Sequence, residues 1–371
     1  MILTIKPNYL RFKFIIHFLC NTIKIRLKNK THVTIYDLAT ELNVSPSTIS
    51  RALRGHPSIS DDKIKTIIKL AKKRNYIPND IAANLRQNKS NNIGVITTWI
   101  NRNFHAQIIS GVEEEASSQG MNVIILQSHD RYLDEVHNTQ ALLNSRVSGL
   151  IVSLAMETKN YDHFLPFFRN KIPIVFADRV PANLKSHKVL IDNVKTAYVA
   201  TKHLIDQGYK RIAHLSGQRH RENYRERIQG YTKALKESGL VVDKNYIYEL
   251  ETKSVEEGVV ATKQLLALPN PPDAIFCTND NMAVGIIQYC KKAGIHVPDQ
   301  LAVMGFNNDP ITTIIEPNLT STFNPGFEIG KQAAKLLLEH NRLKWTDKNF
   351  TTIKLGTELV VRESTLKKKK T

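Results

Sequence analysis

Four side chains near the N-terminus have the types and the spacing that suit contact with DNA bases. Pro46, Ser47, Ser50 and Arg51 fall on the outward side of a short predicted helix. Arg51 is the charged side chain there, and a guanidinium can contact the O6 and N7 atoms of guanine together. A helix in the major groove reads bases with its N-terminal residues, so the pattern predicts a DNA-reading helix. The alternatives are an ordinary helical hairpin with a polar face and, for Arg51 alone, a phosphate contact.

Two further helices must hold this helix in place. Apolar residues at helical spacing predict a first helix, and they are Ile35, Leu38, Ala39 and Leu42. Ser45 then supplies an N-cap oxygen, and Pro46 stands at the first helical position. The buried face of the second helix is predicted to be Ile49, Ala52 and Leu53. A third helix, capped by Ser60, is predicted to bury Ile64, Ile67, Ile68 and Ala71. Together they predict a small three-helix headpiece.

The positive charge is concentrated at the ends of the chain. The net charge is +18, yet residues 91–366 carry 31 basic and 29 acidic side chains. Residues 1–90 carry 17 basic and five acidic ones. This distribution predicts attraction to phosphates at the N-terminal end, beside a nearly neutral body. The lysines at 367–370 are expected to form a solvated basic tail.

Cysteines and the first thirty residues bear on the compartment. Cys20, Cys277 and Cys290 show no CxxC or Cys/His zinc spacing, which favours a reducing cytosol without disulfides or a metal site. The apolar run FKFIIHFL is too short to span a bilayer and lacks a cleavage site for a signal peptide. We therefore expect a cytoplasmic protein in which residues 1–30 are an extension outside the fold. A membrane-anchoring segment is the alternative.

From Ile93 onward, short apolar runs alternate with amphipathic helices. This alternation predicts a parallel α/β body with helices on both faces, and its length implies two lobes. No GxGxxG or P-loop motif follows a predicted strand, so no nucleotide cofactor is expected. His129 and Asp130 are adjacent, but no paired nucleophile and base accompany them, so the sequence does not favour an enzyme.

The chain resembles the lactose-repressor (LacI-type) family of bacterial transcription regulators. The resemblance covers about residues 31–364 and rests on many segments: VTIYDLATELNVSPSTISRAL, YIPNDIAANLR, NNIGVI, GLIVS, IPIVFADRV, HLIDQGYKRIAHLSG, RERIQGY, PPDAIFCTNDNMAVG, VPDQLAVMGFNN and LTSTFNPGFEIGKQAAKLLL. It implies an α/β protein with an N-terminal helix-turn-helix headpiece and a two-lobe, periplasmic-binding-protein-like body built on parallel sheets. It further implies a homodimer on a pseudo-palindromic operator, a repressor, and a small effector between the lobes.

The resemblance also implies the domain boundaries. The DNA-binding domain is expected over residues 31–78, the hinge helix and linker over 79–92, the effector-binding and dimerisation domain over 93–364, and a basic tail over 365–371. Lobe 1 would take residues 93–190 and 323–349, and lobe 2 residues 191–322 and 350–364. The chain would cross between the lobes near Ile191, Thr322 and Phe350.

In the headpiece, the resemblance places Pro46 and Ser47 at base-reading positions. Ser45, Thr48 and Ser50 are expected to hold phosphates. Leu85 matches the family's hinge leucine, which wedges into the minor groove. The remaining hinge positions are Asn79, a candidate helix cap, and Ala82, a small residue that lets paired hinge helices approach. Packing of Leu85 on its own headpiece is the alternative.

In the body, the resemblance and the strand ends indicate an effector pocket. Arg227 matches the arginine that grips the ligand in relatives. Ligands of open α/β sheets bind beyond the carboxyl ends of strands, which favours Asp178, Arg179, Asn279, Asp280 and Asn307. Phe104 and Phe176 could stack on a ring. Salt bridges at the surface or between lobes are the alternative for each acid and arginine.

The effector and the function class have alternatives too. Relatives commonly have Asp where Asn307 stands, and an amide can donate as well as accept hydrogen bonds. A sugar or sugar derivative is the expected effector, with a purine or a coregulator protein as alternatives. A solute-binding protein with the same two-lobe body would need a signal peptide and no headpiece.

Overall fold

The computed structural model describes residues 33–77, 90–342 and 349–367. The chain divides into two compact units, Met1–Gln87 and Asn88–Thr371. The predicted extension over residues 1–30 and the hinge residues 79–89 lie outside the described residues. Within the described ranges, no helix has the length and apolar character needed to cross a bilayer.

Over residues 33–77, the first unit shows three helices, which are α1 (Ile35–Glu41), α2 (Pro46–Leu53) and α3 (Asp61–Lys73). Their shared core is fully buried and comprises Leu38, Ala39, Ile49, Ala52, Ile67 and Ala71. Thr34 and Asp37 form a capping box at the start of α1. Asn43, with φ of 48°, makes the tight turn before α2, a backbone region that asparagine tolerates. The expected helix-turn-helix geometry therefore forms from local signals.

Two expectations for α3 are wrong. Ser60 stands at the N-cap position, but its side chain makes no capping hydrogen bond. Ile68 is 37% exposed, so it does not belong to the buried stripe. The narrower buried stripe of Ile67 and Ala71 is enough to hold α3 in the core, because the two short helices that pack on α3 cover only one side of it.

The second unit contains two six-stranded sheets. The first has the order β11-β5-β4-β3-β1-β2, with strands β1 (Asn92–Thr97), β2 (Asn122–Gln127), β3 (Leu150–Val152), β4 (Ile174–Ala177), β5 (His187–Ile191) and β11 (Thr352–Leu355). The second has the order β12-β10-β9-β8-β6-β7, with strands β6 (Ile212–Gly217), β7 (Ile247–Leu250), β8 (Ala274–Cys277), β9 (Ala302–Asn307), β10 (Thr320–Phe323) and β12 (Glu358–Val360). Only the β10–β12 pair is antiparallel among the described strands.

In the described part of this unit, eight α-helices connect the strands. They are α4 (Asn103–Ser118), α5 (Tyr132–Asn144), α6 (Leu165–Arg169), α7 (Asn193–Asp206), α8 (Glu222–Glu237), α9 (Val255–Leu266), α10 (Asp280–Lys292) and α11 (Gly326–Arg342). Parallel strands need such crossover helices, and the buried strands read as continuous apolar runs for the same reason. Short 3₁₀ turns lie at Asp162–Phe164, Lys244–Tyr246, Pro310–Thr313 and Glu363–Thr365.

Helices α4 and α11 approach each other through two glycines. A Cβ atom added to Gly111 would lie 1.9 Å from the carbonyl oxygen of Phe327. One added to Gly330 would lie 1.9 Å from the carbonyl oxygen of Ile108. Since no side chain fits at either point, the two helices are held at backbone contact. The N-terminal ends of α4 and α11 therefore lie side by side, facing the cleft between the two lobes.

The chain passes between the sheets three times, after Ile191, Phe323 and Leu355. The third crossing predicted near Phe350 is wrong, because β11 pairs with β5 of the first sheet. The predicted start of a basic tail at 365 is wrong as well. Thr365 is fully buried and accepts a hydrogen bond from the Tyr209 hydroxyl at 3.2 Å.

Candidate functional site

The N-terminal part of α2 presents the predicted DNA-reading face to solvent. Ser47 and Arg51 are exposed, and Pro46, Thr48 and Ser50 are half-buried. Opposite them, Ile49 and Ala52 are fully buried. The helix therefore separates a core face from a polar face as its spacing predicts.

Ser45 has a structural task at this helix. Its Oγ accepts a hydrogen bond from the Thr48 N–H at 3.1 Å and lies 2.7 Å from Ser47 Oγ. Ser50 Oγ accepts a hydrogen bond from the Arg54 guanidinium at 3.2 Å. Arg54, an exposed cation at the C-cap of α2, was not predicted as a candidate from the sequence. Phosphate contacts of Ser45, Thr48 and Ser50 stay predictions, and Asn79, Ala82 and Leu85 lie outside the described residues.

A cavity of about 310 Å³ lies between the two lobes of the second unit. Every segment that lines it follows the carboxyl end of a strand, on both sheets. The lining residues are Arg102, Phe104, His105, Asp178, Arg179, Asn223, Tyr224, Arg227, Lys253, Ser254, Val255, Thr278, Asn279, Asn281, Asn307, Asp309 and Asn324. The predicted residues Phe104, Asp178, Arg179, Arg227, Asn279 and Asn307 are among them.

Three cavity residues adopt left-handed backbone conformations. The φ angles are 62° at Asp178, 56° at Lys253 and 107° at Asn307. Side chains other than glycine rarely adopt such angles, and they collect at ligand clamps and active sites. The turns that end these strands therefore carry a conformational cost, which is a mark of a functional cleft.

Arg179 is fixed by Asp130. The Arg179 guanidinium donates to an Asp130 oxygen, which also accepts the Met156 N–H at 3.0 Å. Burial would raise the pKa of Asp130, but the charge and hydrogen bond of Arg179 hold it well below its usual range. His129 lies 3.3 Å from Asp134. Asp130 and His129 thus contact different partners, Arg179 and Asp134 respectively.

Arg227 is buried in the wall of the cavity. Its Nε donates to Asn193 at 2.9 Å, and a terminal nitrogen donates to the Thr278 hydroxyl at 3.3 Å. Its guanidinium carbon lies 3.7 Å from the centroid of the Phe306 ring. Burial lowers the pKa of Arg227, since no water stabilises the charge there.

The side-chain amides of the cavity differ in how many of their hydrogen-bonding atoms have a partner. Asn279 caps α10 by accepting the Met282 N–H at 2.9 Å and donates to the Lys253 carbonyl at 3.1 Å. Asn324 donates to Asn307 at 3.2 Å. Unpartnered buried atoms remain among the described residues, including Arg179 Nε and the side-chain oxygens of Asn223 and Asn324. Such atoms at a cavity wall favour a polar ligand, because burial without a partner is costly.

The acids of the cavity are shifted by burial. Burial raises the pKa of Asp178, and Arg179 and Arg227 oppose the shift. Burial likewise raises the pKa of Asp309, which accepts a hydrogen bond from Asn103 at 3.1 Å. Because Asn103 and Asp309 belong to different lobes, this bond crosses the cleft. His220 makes a second crossing, donating to the Met156 carbonyl at 2.6 Å.

Two predicted effector residues do not line the cavity. Phe176 is fully buried and packs edge-on against Phe164 inside the first lobe, because it lies within β4 rather than beyond its end. Asp280 is fully buried at the start of α10, where it accepts hydrogen bonds from Ser321 at 2.6 Å and the Asp309 N–H at 2.7 Å. It supports the turn that carries cavity residues.

Several lining residues were not predicted from the sequence, notably Arg102, Asn223, Tyr224, Lys253, Asp309 and Asn324. Asn223 and Tyr224 precede Arg227 by one helical turn, a spacing that could have revealed them. Lys253 gave no such signal, because it stands in a short turn between β7 and α9. Among the described residues, no group of His, Cys, Asp and Glu could hold a metal ion.

Comparisons with known proteins match both units. Residues 34–79 match the model of bacterial regulatory proteins of the lacI family, and residues 201–365 match a periplasmic binding protein-like domain. Catabolite control protein A of Priestia megaterium is 32% identical over 90% of this chain and 99% of its own length. The transcriptional repressor CytR of Escherichia coli K12 is 32% identical over 91% of this chain and 98% of its own.

A solved structure of similar fold is the lac repressor dimer bound to operator and the anti-inducer ONPF. Its TM-score is 0.80 at 24% identity, covering 91% of this chain and all of the other. This likeness supports the fold of the two-lobe body and, separately, that of the helix-turn-helix headpiece.

Proposed function

Because the chain belongs to the lacI family of bacterial regulatory proteins, we propose that it represses transcription under the control of a sugar or sugar derivative bound between its lobes. Members of this family are DNA-binding regulators with an effector-binding domain, and they are not enzymes. They bind operator DNA and small effectors and act as dimers.

The observation that carries the proposal is the composition of the cavity wall. Amide and charged side chains converge on it from the strand ends of both lobes. A polyhydroxylated ligand offers many donors and acceptors, which suits the unpartnered atoms of Arg179, Asn223 and Asn324. We propose that Phe104, Asp178, Arg179, Arg227, Asn279 and Asn307 contact it. A ligand that touches both lobes favours one closure angle over another.

In the headpiece, we propose that Arg51, Pro46 and Ser47 read bases, while Ser45, Thr48 and Ser50 hold phosphates. Exposure of Arg51 and Ser47 supports this role. In the hinge, we propose that Leu85 wedges into the minor groove, that Asn79 caps the hinge helix and that the small Ala82 lets paired hinge helices approach. Two headpieces in a dimer would read two half-sites of a pseudo-palindrome in the cytoplasm.

The test begins with operator selection from random duplexes, using the full chain. A thermal-shift panel of sugars, sugar phosphates and purines then identifies the effector. A ligand at 100 times its dissociation constant adds about 2.7 kcal/mol to stability, a readable shift. The expected result is that a sugar or sugar derivative shifts melting and changes operator affinity. A purine as the only active ligand, or a ligand that leaves operator affinity unchanged, would contradict the proposal.

A further inference from the structure

Three cations surround one aromatic ring in the cavity. The guanidinium carbons of Arg227 and Arg179 lie 5.5 and 5.9 Å from the centroid of the Tyr224 ring, and the Lys253 ammonium lies 5.7 Å from it. Arg179 belongs to the first lobe, and the other three residues belong to the second. We call the three cations the Tyr224 cation cluster. It is the place where positive charge from both lobes meets.

Only one member of the cluster has a carboxylate partner among the described residues. Arg179 pairs with Asp130. The donors of Arg227 go to an amide oxygen and a hydroxyl. Lys253 is 4% exposed, and its ammonium donates to the backbone carbonyl of Glu251 at 3.3 Å. The direct hydrogen-bond partners of these two buried cations are therefore neutral groups, and the carboxylates nearest to them, Asp178 and Asp130, act on them only through their charge.

The aromatic ring does not compensate for this burial. A cation–π contact contributes about 0.5–2 kcal/mol, whereas removing an ion from water costs several kcal/mol in real proteins. The wall as a whole carries four cations: Arg102 in addition to the cluster. Three carboxylates oppose them, counting Asp178, Asp309 and Asp130 behind Arg179. Counting only the residues that line the cavity, four cations face two carboxylates, Asp178 and Asp309.

The pKa shifts of Tyr224 and Lys253 agree with a positive electrostatic potential at the cluster. Burial raises the pKa of Tyr224, but Arg179, Lys253 and Arg227 outweigh burial and hold it below its usual value. Burial lowers the pKa of Lys253, and the charge of Arg179 adds to that shift. Both directions are those expected beside an unneutralised group of cations.

We infer that the effector carries an anionic group, a phosphate or a carboxylate, which binds in the Tyr224 cation cluster. The inference rests on the proposed function and narrows its ligand to a phosphorylated sugar or a sugar acid. The anion would supply the missing counter-charge, and Arg179 Nε, buried and unpartnered, is a free donor for it. Because the cluster draws on both lobes, the anion joins them.

The first probe is inorganic phosphate, titrated into the full chain against chloride at constant ionic strength. Calorimetry should show saturable binding that Lys253→Gln weakens about tenfold or more, since a hydrogen bond to a charged group is lost. Lys253→Arg keeps the charge and should retain binding. Lys236→Gln is the matched control, because Lys236 is an exposed cation on α8, the helix of Arg227.

The second probe is a set of matched sugars. Ribose is compared with ribose 5-phosphate and ribonate, and glucose with glucose 6-phosphate and gluconate. At least one anionic member should bind about tenfold more tightly than its neutral parent, and the preference should vanish in Lys253→Gln. The phosphate and carboxylate arms then identify the anion. Circular dichroism and operator affinity of each variant establish that it is folded.

Two outcomes would overturn the inference. One is that neither phosphate nor any anionic sugar binds more tightly than a neutral parent. The other is that the preference survives in Lys253→Gln. In the first case, a neutral sugar that binds the cavity and changes operator affinity would leave the proposed function standing. An anion that binds in the Tyr224 cation cluster without changing operator affinity would support the inference and contradict the proposed function.

Discussion

The guanidinium of Arg227 stacks on the ring of Phe306, with 3.7 Å between the guanidinium carbon and the ring centroid. Arg227 lies on α8 and Phe306 lies on β9, and both elements belong to the second lobe. A second bond, to Asn193, ties the side chain to the start of α7. The residue expected to hold the effector is thus also part of the packing of its lobe, and the two roles need separate measurements.

Arg227→Ala should abolish the effect of the effector on operator affinity and leave affinity without effector near wild type. The coupling at stake is typically about 1–3 kcal/mol. The truncation should also lower the free energy of unfolding by a few kcal/mol, because a buried side chain is lost and Asn193 loses a donor. Operator titration with and without effector, beside thermal unfolding, measures both. A variant that responds at the same effector concentration would exclude Arg227 from the site. Loss of operator binding without effector would make its role structural.

Arg51→Ala should weaken operator binding by about 1–3 kcal/mol and flatten the preference at one guanine in each half-site. Competition binding against operators substituted at each position gives the measurement. Arg54→Ala is the matched comparison, since it removes a neighbouring exposed cation that bonds to Ser50. If Arg51→Ala weakens binding equally on every operator sequence, Arg51 contacts a phosphate and not a base.

Asp280 should make stability depend on pH. Burial raises its pKa from the usual 3.8 to about 8. An acid whose pKa is higher in the folded state contributes stability that is complete below the unfolded value and is lost as pH rises through the folded value. Stability should therefore decline between about pH 4 and pH 8.

Asp280→Asn should flatten that decline, because the amide does not ionise. The Asn oxygen can still accept the Asp309 N–H, and the Ser321 hydroxyl can turn to accept from the amide nitrogen. Thermal unfolding from pH 5 to pH 8 is the measurement, with exposed Asp299→Asn as the control. An unchanged slope in Asp280→Asn would place the pH dependence elsewhere.

Gly330→Ala should destabilise the body by about 1–3 kcal/mol, because a methyl group there overlaps the Ile108 carbonyl. Gly356→Ala serves as the control, since no heavy atom lies within 4 Å of a Cβ at that position. Urea unfolding with equal m-values compares the two variants. Equal midpoints for both would show that α4 and α11 can separate without cost.

The headpiece could be predicted closely because its signals are local. The cap at Ser45, Pro46 at the first helical position and the period of Ile49 and Ala52 all act within one helix. Ser60 shows the limit, since an N-cap residue can stand in place without bonding the helix. Composition gives the residue type there and does not give the rotamer.

The cleft could be predicted only where strand ends were evident. Asp178 and Asn307 follow long apolar runs, so their place at the carboxyl edge could be inferred. Strand β11 alternates exposed and half-buried residues, so it is not a continuous apolar run and was not recognised as a strand. The third crossing was therefore predicted too early, near Phe350. Phe176 shows that an aromatic residue inside such a run belongs to the core.

The two bonds that span the cleft, from His220 to the Met156 carbonyl and from Asn103 to Asp309, bear on how quickly the regulator responds. A ligand that needs the lobes apart to enter or leave exchanges no faster than the lobes separate, and separation breaks these two bonds. Domain motions of this kind take microseconds to milliseconds. The residence time of a ligand in the cavity can then exceed what its affinity alone suggests. These two contacts would set the lag between a fall in effector concentration and the change at the promoter.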